Sequence, residues 1–319
     1  MSKVQTSPRT TVQQATNAGL GTSHHQLRRD ELVPSRYAVR VGEIDVLVVS
    51  DGIIEIPAEA MATNADPAVR AAWLGDRFLP QDDLDWALNA FVVRSGSQTI
   101  LIDSGLGGEY AGYPRAGQFV HRLEAAGVDL ASVTDVVLTH MHFDHVGGLL
   151  VDGVKDRLRP DLRVHVSAAE AKFWESPDFS RTAMPPEFVE VIRRSSRQFL
   201  DEYRSHLRTF DEESEVAPGV VVTRTGGHTP GHSVVRLASG GDRLMFAGDA
   251  LLPASFDHPE WHNGFEHDPE EATRVRLRLM RELAETGSLL VSTHMPFPSV
   301  GHVAAAGNLF RWVPAWWDY

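Results

Sequence analysis

Apolar and polar positions alternate with period two through "YAVRVGEIDVLVVSDG" and break at Gly42-Glu43, which predicts two strands joined as a hairpin. The same signature returns in "NAFVVRSGSQTILIDSGLGG", where Ser95-Gly96-Ser97 supplies the turn. "GQFVHRLEAAGV" has the spacing of an amphipathic helix stopped by Gly127. The short apolar runs "TDVVLT" and "RVHVS" read as strands, the first of them buried in a sheet interior, and "AAEAKFWES" as a helix that ends near Pro177. Residues 186–207 keep helical spacing with one charged face. "GVVVTRT" predicts a strand, "HSVVRLASGG" with "DRLMFAGDA" a hairpin, residues 268–286 a long amphipathic helix and "SLLVST" a further strand. The aromatic end "LFRWVPAWWDY" is expected to pack down onto the body. Strands, a helix, then strands and helices, repeated once, predict two packed sheets with helices outside.

The first residues break the pattern. Residues 1–36 are polar and rich in Thr, Gln and Ser, without an apolar stretch of signal-peptide length, and Arg28-Arg29 is followed by acidic residues. They predict a polar arm ahead of a folded domain over 37–319, with His24-His25 in solvent. No segment approaches the ~20 apolar residues of a membrane helix, so the expected location is the cytoplasm. A net charge of −13 weighs against nucleic acid or an anionic membrane as partner. The chain has no cysteine, so a bound metal would need nitrogen and oxygen ligands.

Chemistry concentrates in "THMHFDHVGG". On an extended segment, residues two apart face the same side, so His140 and His142 can converge. If a helix begins after Phe143, Asp144 and His145 reach the other side of one cavity, and Gly147-Gly148 let the loop pack closely on a neighbour. Bunched imidazoles beside a carboxylate repel or desolvate one another unless a cation joins them, which favours metal ligation over surface hydrogen bonding. Further candidates stand where later strands end: His228 in "GGHTPGH", Asp249 in "FAGDA" and His294 in "VSTHMP".

"HMHFDH" followed by "GHTPGH", "GDA" and "STHMP" resembles the metallo-β-lactamase superfamily, from about residue 37 to the end. The resemblance implies an α/β fold, an αββα sandwich with metals at one edge of its sheets. It implies two divalent cations, Zn2+ first among Zn2+, Mn2+, Co2+ and Fe2+. His140, His142 and His228 would hold one, Asp144, His145 and His294 the other, and Asp249 would bridge. Histidine at 142, where the redox branch has glutamate, favours hydrolysis. Two such ions about 3.5–4 Å apart activate water and polarise a substrate oxygen. Asp144 and Asp249 would be the catalytic carboxylates, Asp144 also carrying a proton to the leaving oxygen. Asp103 in "LIDSG" either caps a turn or, on the resemblance, steadies the histidine loop. His232 reads as structural, and His258 and His302 as surface or core residues.

"DSGLGG", "LLPASFDHPEWHNGFEHDPEEA" and "THMPFPSVGHV" are closest to the N-acyl-homoserine lactonase and methyl parathion hydrolase groups. This implies lactone, ester or phosphotriester substrates and a homodimer. The smaller lactonases have a tyrosine shortly after the bridging aspartate, whereas Ala250-Leu251-Leu252-Pro253 stands here. Phe143, Trp174, Tyr110, Phe256 and Trp261 are candidate pocket walls for an uncharged substrate. A glyoxalase II-like thioesterase, a mononuclear iron dioxygenase and a non-catalytic metal-binding relative are the alternatives. The last would be marked by a lost ligand, and all seven positions are filled.

Overall fold

Strand alternation sets the layers. In a computed structural model that describes residues 33–108 and 112–317, two seven-stranded sheets run in chain order. The first is β1 (Arg36–Val41), β2 (Ile44–Pro57), β3 (Asp83–Ser95), β4 (Gln98–Ile102), β5 (Asp135–Val137), β6 (Arg163–Ser167) and β7 (Leu207–Phe210). The second runs from β8 (Glu213–Ala217) through β9 (Val220–Arg224), β10 (Ser233–Ser239), β11 (Asp242–Phe246), β12 (Leu289–Val291) and β13 (Gly301–Ala306) to β14 (Leu309–Pro314). The strands β1 to β4 pair antiparallel and β4 to β7 parallel.

Side chains of one parity meet between the sheets. Val46, Val48, Phe91, Val93, Ile100 and Ile102 pack against Val220, Val222, Val235, Leu237, Leu244 and Phe246. Phe91 and Phe246 meet edge to face with ring centroids 4.2 Å apart. The opposite parity is covered by helices. Leu88, Ala90, Val92, Leu101 and Val136 lie under α2 (Phe119–Ala125) and α6 (Pro186–Tyr203). Val234, Met245 and Leu290 lie under α7 (Pro269–Thr286) through its Val275, Leu279 and Leu283. This is the αββα sandwich.

Several elements differ from the sequence reading. β3 begins at Asp83, not Asn89, because "DLDWAL" continues the alternation against the second half of β2. The helix α1 (Pro67–Gly75) was not expected; Asp66 caps it by accepting from Ala68 N at 2.8 Å. β8 was also missed, its charged "ESE" hiding an edge strand. The aromatic end packs down in part: it forms β14 at a sheet edge, where Trp312 meets Phe256 at 5.8 Å, and beyond Pro314 Trp317 lies 5.2 Å from Tyr37, while Trp316 is 96% exposed. Residues 1–32 of the polar arm, His24-His25 and Tyr110 lie outside the described residues, and Arg36, expected to end the arm, opens β1 because the period-two alternation already includes it. Among the described residues no helix is long and apolar enough to cross a membrane.

Candidate metal centre

The parallel strands β4, β5 and β6 and the second-sheet strands β9, β11 and β12 all deliver their C-terminal ends to one edge of the sandwich. After β5 comes Thr139, then His140 and an extended His142, which stands immediately before the one-turn helix α3 (Phe143–Val146). That turn carries Asp144 and His145, as the spacing predicted. Its close approach requires glycine: a Cβ on Gly147 or Gly148 would collide with the carbonyl oxygens of Leu106 and Ser104.

The seven candidate ligands come together, all buried. His142 Nδ1 and His228 Nε2 are 3.1 Å apart. His228 Nε2 lies 3.3 Å and His140 Nε2 3.9 Å from Asp249 Oδ2. On the other side, His145 Nε2 is 3.3 Å from Asp249 Oδ1 and 3.6 Å from Asp144 Oδ2. His294 Nε2 is 3.0 Å from Asp249 Oδ2 and 3.5 Å from Asp144 Oδ2. A tetrahedral ion with ligands at about 2.0–2.1 Å sets its donors about 3.3 Å apart, the spacing seen here. Asp249 faces both groups. His140 Nε2, His142 Nε2, His145 Nε2, His228 Nδ1 and Asp249 Oδ1 are buried without a hydrogen-bond partner, and a fold seldom leaves five such atoms unsatisfied in one place. A divalent cation fits that deficit.

Electrostatics point the same way. Burial, reinforced by repulsion from neighbouring imidazoles, holds His140, His142 and His228 well below the ordinary histidine range, in the neutral form that binds metal. Burial also pushes His145 and His294 down, but the carboxylates of Asp249 and Asp144 outweigh it and raise both. Burial would raise Asp249, yet His294, His145 and His228 keep it ionised. The two aspartates therefore draw positive charge into a buried space, and a cation competes there with protons.

The supporting shell fixes ring orientation. Asp103, held at φ 56°, accepts from Thr139 N at 2.8 Å and from Thr139 Oγ1 at 2.9 Å, and lies 2.8 Å from His145 Nδ1. It thereby spans the loop and leaves His145 Nε2 facing the cluster. His294 Nδ1 donates to Ala87 O at 2.8 Å, and Asn89 Nδ2 donates to the carbonyls of Thr293 and Met295 at 2.9 and 2.8 Å. His232 is structural: its Nε2 accepts from Asp249 N at 3.1 Å, and burial lowers its pKa to about 4.

Sequence reasoning missed Glu170 on α5 (Ala168–Phe173). Fully buried, it accepts from Met141 N at 2.9 Å, Trp174 Nε1 at 2.6 Å, Thr229 Oγ1 at 2.6 Å and Gly231 N at 3.0 Å. It ties the 140–145 loop to the loop of His228. The available signal was one acid in the first turn of a helix capped by Ser167.

The cavity beside the donors is walled by Ile54, Ile56, Trp86, Phe143, Ile192 and Phe265, with Asn263 at its side. Of the expected wall residues, Phe143 is among them. Trp174 is held behind the site on Glu170, its ring 5.7 Å from His142. Phe256 lies in the core beneath α7 and Trp261 packs on Trp73 at 5.9 Å, because both follow the apolar sides of the segment after Asp249 instead of its cavity side. His258 stacks on Trp261 at 3.9 Å, and His302 Nδ1 lies 3.0 Å from Gly287 O, both away from the cavity wall.

The fold has counterparts among known proteins. AidC, a dizinc quorum-quenching lactonase solved with the product N-hexanoyl-homoserine, superposes with a TM-score of 0.81 at 26% identity, covering 89% of this chain and 99% of that one. The hydrolase AbOPH gives 0.78 at 28% identity, over 90% and 99%. An atrochrysone carboxyl ACP thioesterase of Passalora fulva is 31% identical over 169 residues, 51% of this chain and 38% of that protein. The chain spans about half or less of the length of the curated relatives it matches. The model of the metallo-beta-lactamase superfamily matches residues 85–294. With that match spanning most of both sheets and every strand end that carries a candidate ligand, the chain belongs to the metallo-beta-lactamase superfamily.

Proposed function

We propose that this protein is a hydrolase of neutral carboxylic esters, lactones foremost, that works with two divalent cations. The observation that carries the reading is the convergence of seven buried donors, five with orphaned atoms, against an apolar cavity wall. His140, His142 and His228 would hold one cation, Asp144, His145 and His294 the other, with Asp249 between them. Bound there, the cations would bring the pKa of water towards ~7 and polarise the carbonyl of the ester.

The chain's own residues do the rest. Asp249 and Asp144 offset the cationic charge, and Asp144, on the cavity wall, is placed to carry a proton to the leaving alkoxide oxygen. Asp103 and Glu170 keep the histidines in one orientation, so that no reorganisation accompanies the reaction. Ile54, Ile56, Phe143, Ile192 and Phe265 exclude water and suit an uncharged acyl chain, while two aspartates disfavour an anionic one. Similarity to AidC supports the lactone. Thioester cleavage is the second reading, supported by the Passalora relative; a phosphotriester would meet the same polar centre and apolar wall. A homodimer in the cytoplasm completes the proposal.

The test is a kinetic panel on protein of measured metal content: acyl-homoserine lactones, an aryl ester, an acyl thioester and a methyl phosphotriester. Lactone turnover should dominate, vanish with a chelator and return with zinc, cobalt or manganese. Turnover that survives verified metal loss would refute the mechanism.

A further inference from the structure

We infer that the side-chain amide of Asn263 is a substrate-binding group, its Nδ2 donating a hydrogen bond to an acceptor oxygen of the bound ester or lactone. The inference rests on the hydrolase reading of the same cavity. Of the residues lining that cavity, His142, Asp144, His228, Asp249 and His294 belong to the candidate metal centre, and Asn263 supplies the only carboxamide. The segment just after Asp249, Ala250 to Pro253, has no side-chain donor. An ester bound here would need another group to fix its orientation.

Asn263 is 3% exposed. Its Oδ1 accepts from Phe265 N at 2.9 Å, and this partner decides which end of the amide is oxygen. The two Nδ2 hydrogens make no hydrogen bond among the described residues. With its acceptor used and no hydrogen bond on Nδ2 among the described residues, the amide has donors available to a ligand acceptor at the cavity.

The surrounding segment holds that amide still. Glu266 Oε2 accepts from Asn263 N at 3.0 Å. Glu266 in turn pairs with Arg276 of α7, which is 2% exposed and donates to Pro259 O at 2.7 Å and Trp261 O at 3.0 Å. A buried ion pair adds little stability over an apolar pair of the same shape; what this one supplies is position. His267 N donates to His228 O at 2.8 Å, so the segment is also tied to the candidate ligand loop. A donor fixed before the substrate arrives needs no ordering on binding.

The experiment uses the full-length, zinc-reconstituted protein, two variants of Asn263 and, as a comparison, Trp86→Phe. Asn263→Asp keeps the acceptor for Phe265 N–H and removes the donor; Asn263→Ala removes both. Hydrolysis of N-hexanoyl-homoserine lactone and phenyl acetate is measured together with zinc content, thermal midpoint and calorimetric affinity for N-hexanoyl-homoserine. Both variants should keep their zinc and lose about 10- to 100-fold in kcat/KM, with weaker product binding. Unchanged kcat/KM and product affinity would overturn the inference, and so would a loss that tracks zinc content. A loss found in Trp86→Phe and in neither Asn263 variant would move the role to the indole and also overturn it. If the unaltered protein hydrolyses neither compound, the hydrolase reading fails on its own. Product affinity then decides the amide: wild-type binding that both variants weaken sustains it, and equal or absent binding overturns it.

Discussion

The strands β4 to β6 bury a carboxylate at each end, and the two ends behave differently. At their start, Asp135 is fully buried and lies 2.7 Å from His165 Nε2, and it accepts from Arg163 at 2.8 Å and Gln98 at 3.3 Å. At their far end, where the loop after β11 also arrives, Asp249 faces four imidazoles yet keeps one oxygen unpartnered, and three of those imidazoles have orphaned nitrogens. Both ends combine carboxylate and histidine in the core. One is complete within the chain; the other becomes complete with a cation. Satisfaction of the buried polar atoms, more than residue type, separates a structural cluster from a binding one.

The hardest blow to this contrast is Asp249→Ala. Turnover should fall by at least about a thousandfold, and metal content, by elemental analysis, to one ion or fewer per chain. An active variant with full metal would remove Asp249 from between the two groups. Asp103→Asn is the next test, because it disturbs only the shell that orients His145. Zinc affinity should weaken about 10- to 100-fold, read by competition with a chromophoric chelator, while far-UV circular dichroism stays the same.

The opposite end should respond in the opposite currency. Burial pushes the Asp135 carboxyl up, but hydrogen bonds from His165 and Arg163 prevail and hold it below the usual carboxylate range. Its folded pKa is the depressed one, so it adds stability above the unfolded value of about 3.9 and loses it as pH falls below that. Asp135→Asn should destabilise by about 1–3 kcal/mol at pH 7 in urea unfolding, and less at pH 3. Its zinc affinity should stay at wild type; a drop would erase the distinction between the two ends. The smallest effect is expected for Trp174→Phe, which removes one donor from a carboxylate that has three others. About 1 kcal/mol of stability should go, with the ranking of substrates unchanged. A reordered ranking would return Trp174 to the cavity wall.

Much of the candidate site was legible in the chain. His140, His142, Asp144 and His145 lie within six residues, so local conformation alone predicts their convergence on two sides of a loop. His228, Asp249 and His294 were legible because each follows an apolar run that had to be a buried strand. The wall was not. Phe256 and Trp261 are as apolar as Phe143, and nothing local says which side of their segment turns to the cavity. Asn263 and Glu170 look like ordinary polar residues until their partners, Phe265, Met141 and Gly231, are in place.

Period-two alternation and helical spacing thus determined the two-sheet sandwich and its helices, because each sheet must bury one parity against the other sheet and one against helices. The same chain determined the chemistry of its donors, since the ligand types and their places at strand ends are covalent facts. Tertiary structure alone decided which buried polar atoms find partners and which do not. That depends on side chains more than a hundred residues apart, as with Asn89 holding the loop of His294, and no window of sequence contains both.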